Sequence, residues 1–508
     1  MKNNNKILFI LSIIGLILYF FSNGKYVLPL ATWLAPALII FFWRNSQSKW
    51  KRFLFYAMFT LTTIISWKGM IPAPGALYYL IAVGLAFIFF IPFLLDQYFH
   101  RRNSQFLSTL TYPLSVILLE YVLSFINPTA SWGAVAYTQH NNIVLLQLLS
   151  ITGIYGIAFV VGWTASILNW VLENNKNWQQ IKKGVYTYLS IMFIIVLFGG
   201  IRVYFLNDHS NTVQVSSISI PYNHLDKKEL TAFSEIKSNK NISDENVAIV
   251  KDVIIKHNEQ LFDLTKKQAD FGSKIVFWSE LSGNVFKNEE SDFLQKASNV
   301  AKEKQVYLMV AYATLLEVGK PLTENKIVAF DPNGKKVLDY MKNNIVPGDH
   351  NVTGKTPLQT FETPYGKIGA AICFDTDFPS FIHTIARQKP DILLIPKDDW
   401  KDIVPVHSYM GYMRGIENGF ATIEQTGSGL SVSFDYKGNV LSKMDNNAAG
   451  DEAVMISHTP TKGITTFYGM VGDVFTWLAI LSLVILLGLS RKWEIRVENE
   501  TDKNVSMN

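Results

Sequence analysis

The most informative part of this sequence is Ile368-Gly369-Ala370-Ala371-Ile372-Cys373-Phe374-Asp375, where an apolar, strand-like run ends in the only cysteine of the chain. A single cysteine excludes an intramolecular disulfide framework. The thiol is then either a small buried apolar group or a reactive one. Its place at the end of the run makes Cys373 a candidate nucleophile.

Two further strings place a reactive side chain at or just after a strand-like run. They are Val276-Phe277-Trp278-Ser279-Glu280 and Tyr340-Met341-Lys342-Asn343-Asn344-Ile345-Val346-Pro347. Residues at the strand ends of an α/β layer meet at one rim, where active sites are usually built. A thiol that attacks a carbonyl needs a base and a cation to hold the oxyanion, and Glu280 and Lys342 supply these roles. Taken alone, Glu280 is typical of a surface carboxylate and Lys342 of a solvated lysine.

The surrounding segment, about residues 207 to 466, predicts a layered α/β domain because strand-like runs alternate with amphipathic stretches. The amphipathic stretches are Ser243–Gln268 and Glu289–Lys304, and the polar part Asp226–Asn241 is interpreted as a loop. The turns DPNG at 331–334 and DYKG at 435–438 are typical of hairpin connections. The predicted strands are Val213–Ile220, Lys274–Trp278, Val306–Ala313, Lys326–Phe330, Ile368–Cys373, Ile392–Ile395 and Ala421–Gln425.

The rest of the chain indicates a membrane protein. Of its 508 residues 49% are hydrophobic and 13% aromatic, and the mean hydropathy is positive. The net charge of +5 is small and the basic residues are scattered, so we expect no nucleic-acid partner. Eight apolar stretches, most of them near the roughly 20 residues that a crossing helix needs, lie near 7–23, 27–43, 53–67, 76–95, 106–126, 146–171, 186–206 and 467–489.

Lysines and arginines mark alternate loops between these stretches, and such loops are usually cytoplasmic. The groups are Lys2 and Lys6; Arg44, Lys49, Lys51 and Arg52; Arg101 and Arg102; Lys176, Lys182 and Lys183; and, after the eighth stretch, Arg491 and Lys492. Seven crossings from a cytoplasmic N-terminus place the α/β domain outside. We therefore expect a seven-helix transmembrane domain (1–206), an extracytoplasmic catalytic domain (207–466), a last transmembrane helix (467–490) and a cytoplasmic tail (491–508).

The order Glu280, Lys342, Cys373 resembles the Glu-Lys-Cys triad of the nitrilase superfamily, with separations of 342 − 280 = 62 and 373 − 342 = 31 residues. With seven spans before the domain and one after it, the chain is similar to the apolipoprotein N-acyltransferases, bacterial membrane enzymes that acylate the N-terminal cysteine of lipoproteins. Further similar strings are Ser131-Trp132-Gly133, Tyr137-Thr138-Gln139, Gly153-Ile154-Tyr155-Gly156 and Met413-Arg414-Gly415-Ile416-Glu417-Asn418-Gly419.

This resemblance implies an αββα sandwich in the outer domain and a place in the bacterial cytoplasmic (inner) membrane. It also implies a phospholipid acyl donor, a thioester on Cys373 and a diacylglyceryl-modified apolipoprotein as the acceptor, without a cofactor. We expect no metal either, since spacings such as CxxC and HExxH are absent.

The chain departs from the family pattern at several positions. Ser279 stands where the family usually has Pro, Asp349 where the loop after the lysine has Glu, and Phe374-Asp375 where Tyr-Glu follows the cysteine. No tryptophan occurs at 205–277, where the family places one. We expect Asp349, Phe374 and Asp375 to contribute to substrate binding. Because Cys-aromatic-Asp is closer to soluble nitrilase-type amidases, a membrane-tethered amidase stays open as an alternative, and a non-catalytic scaffold is a third.

Other polar residues receive structural interpretations. Arg414 and Glu417 are three apart on a predicted helix, which favours a surface ion pair. The string Asp398-Asp399-Trp400 is typical of an exposed turn, and the histidines, including His407, are given no role. Glu120 lies within an apolar stretch, so we expect it in helix packing or at a lipid headgroup.

Overall fold

The computed structural model describes residues 5–102, 105–174, 177–206, 210–221, 225–237, 243–317, 320–349, 351–448, 450 and 452–505. The chain divides into two compact units. Unit 1 comprises Met1–Leu206 and Val471–Asn508, and unit 2 comprises Asn207–Met470.

Unit 1 is helical in its described residues. Four of its helical segments are long and apolar enough to cross a membrane, namely Gly75–His100, Phe106–Ile126, Ile154–Asn174 and Trp178–Tyr204. The first helix has 16 residues, which at 1.5 Å per residue span about 24 Å, less than the roughly 30 Å of a hydrocarbon core. The helices are α1 (Asn5–Phe20), α2 (Pro29–Asn45), α3 (Lys49–Ser66), α4 (Gly75–His100), α5 (Thr111–Ile126), α6 (Ile143–Leu146), α7 (Leu149–Thr152), α8 (Ile154–Asn174), α9 (Trp178–Tyr204) and α16 (Val474–Val505).

Two charged side chains inside unit 1 have clear polar partners. The Arg44 guanidinium donates to both carboxylate oxygens of Asp96 at 2.8 Å, linking α2 to α4. Glu120, on α5, accepts a hydrogen bond from Val135 N at 2.8 Å. This contact favours the interpretation of Glu120 as a packing residue.

Unit 2 contains two β-sheets and six helices in its described residues. The helices are α10 (Lys227–Lys237), α11 (Asp244–Asp270), α12 (Glu290–Lys304), α13 (Pro379–Ala386), α14 (Val406–Asn418) and α15 (Phe467–Val471). The strands are β1 (Thr212–Ser219), β2 (Ile275–Trp278), β3 (Gly283–Phe286), β4 (Tyr307–Glu317), β5 (Lys320–Phe330), β6 (Lys336–Met341), β7 (Thr360–Thr363), β8 (Gly366–Ala370), β9 (Ile392–Lys397), β10 (Ala421–Thr426), β11 (Leu430–Phe434), β12 (Val440–Asp445) and β13 (Ala453–Pro460).

The two sheets face each other and the helices lie outside them. The first sheet has the order β13-β1-β2-β4-β5-β6, with β3 also paired to β4, and the second has the order β12-β11-β10-β9-β8-β7. Helices α11 and α12 pack on the first sheet and α14 packs on the second. Between the sheets, Ser217 Oγ on β1 donates to Gln425 Oε1 on β10 at 2.5 Å. The layers therefore follow the order helix, sheet, sheet, helix, as the resemblance implied.

Parallel strands form the centre of each sheet and direct their ends to the candidate site. Strands β1, β2 and β4 are parallel, and so are β8, β9 and β10. The chain leaves β2 towards Glu280 and β8 towards Cys373. The Glu280 backbone N–H donates to Lys397 O, at the end of β9, at 3.2 Å, which ties the carboxyl ends of the two sheets together.

All seven predicted strand-like runs are strands, and both predicted turns connect antiparallel neighbours, β5 to β6 and β11 to β12. The prediction of a loop at Asp226–Asn241 is wrong for its first part, since Lys227–Lys237 forms α10. The partly buried side chains Phe233 and Ile236 of α10 pack with Val250 and Ile254 of α11. This packing stabilises a helix whose own residues are mostly polar. Residues 238–242 lie outside the described residues.

Candidate active site

Glu280 and Lys342 form a buried ion pair. Lys342 Nζ donates to Glu280 Oε1 at 2.7 Å, and the side chains are almost inaccessible. The amide of Asn325 on β5 donates to the same oxygen at 2.7 Å. The backbone N–H of Lys342, just after β6, donates to Asn325 O at 2.9 Å. Asn325 thus holds both members of the pair in register.

Cys373 lies three residues beyond the end of β8, at the start of a short 3₁₀ turn, Cys373–Asp377. Its φ of +44° is in the left-handed region, which costs a non-glycine residue of the order of 1 kcal/mol or more. Thr376 Oγ1 donates to Cys373 O at 2.7 Å and helps to hold this turn. Only 5% of the cysteine surface is exposed. Strained backbone at a reactive side chain is common in active sites.

The charges around Cys373 fix its resting state. Burial raises the pKa of the thiol well above its ordinary value, the carboxylate of Glu280 raises it further, and the ammonium of Lys342 lowers it. The thiol is therefore protonated at neutral pH. Burial lowers the pKa of Lys342, but the carboxylate of Glu280 more than offsets this effect and the pKa is raised, so the lysine is charged.

Asp375 connects the residues on either side of Lys342 to the turn that begins at Cys373. Its Oδ2 accepts hydrogen bonds from Tyr340 OH at 2.7 Å and Ile372 N at 3.1 Å. Its Oδ1 accepts from the backbone and side-chain nitrogens of Asn344 at 3.0 and 2.9 Å. The structure thus buries Asp375 in contact with both loops, which is a positioning arrangement.

The other two predicted binding residues lie in different surroundings. Phe374 is buried and packs edge-to-face against Phe378, with ring centroids 5.3 Å apart. Asp349 is exposed, and its backbone N–H closes a turn on Val346 O at 3.0 Å. The structure therefore brings Glu280, Lys342, Cys373, Phe374 and Asp375 into the protein interior and leaves Asp349 on the surface.

A second buried set of charged residues lies beside Cys373, and we call it the acidic relay: Asp377, Asp399 and His407. The ring nitrogens of His407 lie 2.6 Å from Asp399 Oδ1 and 3.1 Å from both oxygens of Asp377. Cys373 Sγ, a ring nitrogen of His407 and a carboxylate oxygen of Asp399 lie within 4.8 Å of one another. The relay therefore borders the same space as the thiol.

The relay is charged. Burial lowers the pKa of His407, but the carboxylates of Asp377 and Asp399 outweigh this effect and that of Lys397, and raise it to about 9. Burial raises the pKa of Asp399, but His407 and Lys397 lower it below its ordinary value. An imidazolium thus donates to carboxylates on both sides at neutral pH.

Lys397 and Glu424 add an ion pair to this region. Lys397 Nζ lies 2.5 Å from Glu424 Oε2 and donates to His407 O at 3.1 Å. Burial raises the pKa of Glu424 to about 7, although Lys397 lowers it. Thiol, imidazole and carboxylate are metal-ligand types. Because both nitrogens of His407 are hydrogen-bonded and an ammonium lies in the same cluster, the arrangement fits an ion-pair network better than a metal centre.

Sequence reasoning missed the acidic relay and two other features. The predicted exposed turn is exposed at Asp398, but Asp399 is 1% exposed, because its backbone N–H bonds Thr426 Oγ1 and its side chain bonds His407. The predicted surface pair Arg414 and Glu417 is an ion pair on α14, but it is fully buried.

One signal for the missed cluster was present in the sequence. Lys397 ends an otherwise apolar strand run, and Glu424 lies within the predicted strand Ala421–Gln425. A charge in a fully buried strand must have a partner.

Both units of the chain are similar to known protein families. A carbon-nitrogen hydrolase family model matches residues 246–465, and a model of the apolipoprotein N-acyltransferase N-terminal domain matches residues 15–167. The apolipoprotein N-acyltransferase of Geobacter metallireducens is 22% identical over 468 residues, which cover 85% of this chain and 84% of the relative. That of Rickettsia typhi is 24% identical over 368 residues, covering 69% and 70%.

Among solved structures, an amidase from Nesterenkonia sp. aligns with 51% of this chain and 94% of its own length, with 14% identity and a TM-score of 0.38. The two family models fall in order on the helical unit and on the two-sheet unit. With these matches, the chain belongs to the apolipoprotein N-acyltransferase family of the nitrilase superfamily.

Proposed function

We propose that this protein transfers an acyl chain from a membrane phospholipid to the N-terminal amino group of a diacylglyceryl-modified lipoprotein, through a thioester on Cys373. The observation that carries the proposal is the buried grouping of Glu280, Lys342 and Cys373 in a nitrilase-like unit of a chain that also has the N-terminal domain of these acyltransferases. The relatives from Geobacter metallireducens and Rickettsia typhi are both named apolipoprotein N-acyltransferase.

In the first half-reaction, Cys373 Sγ attacks the carbonyl carbon of a phospholipid ester. Glu280 takes the thiol proton, which the raised pKa of Cys373 makes necessary. The Lys342 ammonium stabilises the oxyanion of the tetrahedral intermediate. The carbon–oxygen bond then breaks, and Glu280 gives its proton to the departing alkoxide, which leaves as a lysophospholipid.

In the second half-reaction, the neutral amino group of the acceptor attacks the thioester carbon. Glu280 takes one proton from the attacking nitrogen and returns it to the sulfur as the carbon–sulfur bond breaks. The products are an amide on the lipoprotein and the free thiol of Cys373. Glu280 thus acts once as base and once as acid in each half-reaction.

The membrane arrangement belongs to the same proposal. Eight crossings, with the catalytic unit on the extracytoplasmic side of the bacterial cytoplasmic membrane, would hold the labile ester at the interface, where both lipid substrates have their headgroups. The four long apolar helices and the alternation of cationic loops support this arrangement. An enzyme that acts on a soluble substrate would not need this membrane arrangement.

The decisive experiment separates the two half-reactions. Purified enzyme is mixed with phospholipid alone, and its intact mass is measured. We expect an increase of one fatty acyl group, its removal by neutral hydroxylamine, and its transfer to a diacylglyceryl-cysteine peptide as an amide.

The competing function is a membrane-tethered amidase that uses water as the acceptor. If the mass of the enzyme never increases with any phospholipid, and free fatty acid or ammonia is the only product, that amidase replaces the acyltransferase. Ping-pong kinetics with two lipid substrates would exclude the amidase.

A further inference from the structure

One carboxylate oxygen of Asp399 accepts a hydrogen bond, and the other has no donor among the described residues. Oδ1 accepts from His407 Nδ1 at 2.6 Å, whereas no described residue donates to Oδ2, although Asp399 is 1% exposed. An unpaired buried oxygen of an ionised carboxylate costs several kcal/mol unless a donor satisfies it. A water molecule or a substrate group can supply the donor that Oδ2 lacks among the described residues.

The distances suit a donor that also reacts. A carboxylate oxygen of Asp399 lies within 4.8 Å of Cys373 Sγ. Oδ2 belongs to the same carboxylate, so a nitrogen that donates to Oδ2 from about 2.8 Å can also lie within about 3.5 Å of an acyl carbon bonded to the sulfur, the separation of a productive encounter. A single group therefore satisfies Asp399 and faces the thioester.

The charge of this region favours a cation as that group. Asp377, Asp399 and Glu424 supply three carboxyl groups, against the two cations His407 and Lys397. Burial raises the pKa of Glu424 to about 7, so a proton offsets the third carboxyl in part at neutral pH. A bound cation would replace that proton as the positive charge that offsets the third carboxyl group.

We propose that Asp399 Oδ2 forms the acceptor subsite and binds the primary ammonium group of the acceptor before it attacks the thioester. This inference rests on the proposed acyl transfer and names the group that recognises its acceptor. His407 and Asp377 act through Asp399, because they fix the orientation that leaves Oδ2 free. The bound ammonium loses one proton to solvent to give the neutral amine that attacks the thioester, and Glu280 then transfers a second proton from that nitrogen to the sulfur. Asp399 does not keep the first proton, since its pKa lies below its ordinary value.

Asp399→Asn tests the subsite, because an asparagine oxygen can still accept from His407 while the charge at Oδ2 is lost. The matched control is Asp398→Asn, which changes the exposed neighbour in the same way. We expect Asp398→Asn to match the wild type in both half-reactions, and Asp399→Asn to accumulate the acyl thioester with phospholipid to the wild-type stoichiometry. In Asp399→Asn alone, the KM for the diacylglyceryl-cysteine peptide should rise at least about tenfold, as expected when a buried charge loses its partner.

A neutral nucleophile separates charge recognition from a distorted site. Hydroxylamine is uncharged at neutral pH, so it should discharge the thioester of Asp399→Asn as fast as that of the wild type. An unchanged peptide KM, or an equal loss with hydroxylamine, would overturn the subsite. Such results leave acyl transfer intact, whereas a wild-type enzyme that forms no thioester refutes the proposed function itself.

A measurement on the wild type keeps the test valid if Asp399→Asn does not fold. A peptide analogue with hydrogen in place of the amino group keeps the lipid chains but lacks the cation. We expect its inhibition constant to exceed the peptide KM at least about tenfold. Equal values would show that the amino group is not recognised and would overturn the proposal.

Discussion

Cys373 supplies the only thiol of the chain, and its backbone is held in a left-handed conformation beside Lys342 and Glu280. We predict that Cys373→Ser and Cys373→Ala both lower turnover by at least about a thousandfold, the size of loss known for covalent nucleophiles. A hydroxyl is much less nucleophilic than a thiol at neutral pH. The measurement is amide formation on the lipopeptide, with the melting temperature of each variant as the control for folding. A wild-type rate in Cys373→Ser would exclude the covalent mechanism.

His407 should couple stability to pH. Its folded pKa of about 9 exceeds the ordinary value of about 6.5 because Asp377 and Asp399 outweigh burial and Lys397. The stability that its charge contributes is therefore complete below about pH 6.5 and is lost as the pH rises towards about 9. We expect the melting temperature of His407→Gln to fall below that of the wild type most at about pH 6 and least above about pH 9.

The control for this prediction is His458→Gln, because His458 is exposed on β13. Its melting temperature should follow the wild-type curve at every pH. A pH-independent gap between His407→Gln and the wild type would mean that His407 stabilises the fold by shape alone.

The candidate catalytic residues could be predicted from the sequence because each follows a short apolar run that encodes its own strand. The acidic relay could not, because its members come from the cysteine turn, the chain after β9 and the start of α14, and only the closure of the second sheet brings them together. His407 carries no local pattern that separates it from the other histidines. The catalytic roles of Glu280, Lys342 and Cys373 stay predictions until the variants are measured.

The end of strand β6 places Lys342, and a close backbone contact holds it. Gly354 N donates to Lys342 O at 2.8 Å, and a Cβ on Gly354 would lie only 2.1 Å from Met341 O. We predict that Gly354→Ala displaces the strand end and lowers kcat at least about tenfold, since small misplacements of reacting groups are costly. The measurement is the rate of thioester formation with phospholipid.

Gly348→Ala is the control for this prediction. It lies in the same loop at φ +99°, where a Cβ would meet no atom within 4 Å. This variant should lose stability of about 1 kcal/mol from backbone strain, but keep its kcat. Equal kcat values in the two variants would mean that the position of Lys342 does not depend on Gly354.

Seven strands of unit 2 were predicted individually, because each contains a continuous apolar run. Strands β3, β6, β7, β11, β12 and β13 were not, because they are short or alternate apolar with polar residues. The chain enters α10 through Asp226, whose Oδ1 accepts from Glu229 N at 2.8 Å, as in a helix cap. That local signal outweighs the polar composition that suggested a loop.

The orientation of the whole chain in the membrane is testable because the single native cysteine is buried. We predict that Asp263→Cys, at an exposed position of α11, reacts with a membrane-impermeant thiol reagent in intact cells. Lys49→Cys, exposed at the start of α3 in a predicted cytoplasmic loop, should react only after lysis. Labelling of Asp263→Cys only after lysis would place the catalytic unit inside and contradict the proposed function.

Burial of the sole thiol has a kinetic consequence for the resting enzyme. With 5% of its surface exposed, Cys373 can meet a long acyl ester only when the surrounding loops move apart. Alkylation of the unmodified protein by a small permeant reagent is then gated by the same opening. The alkylation rate would then report how often the resting site opens. Comparing this rate with the turnover rate would show whether substrate entry or the chemical step limits catalysis.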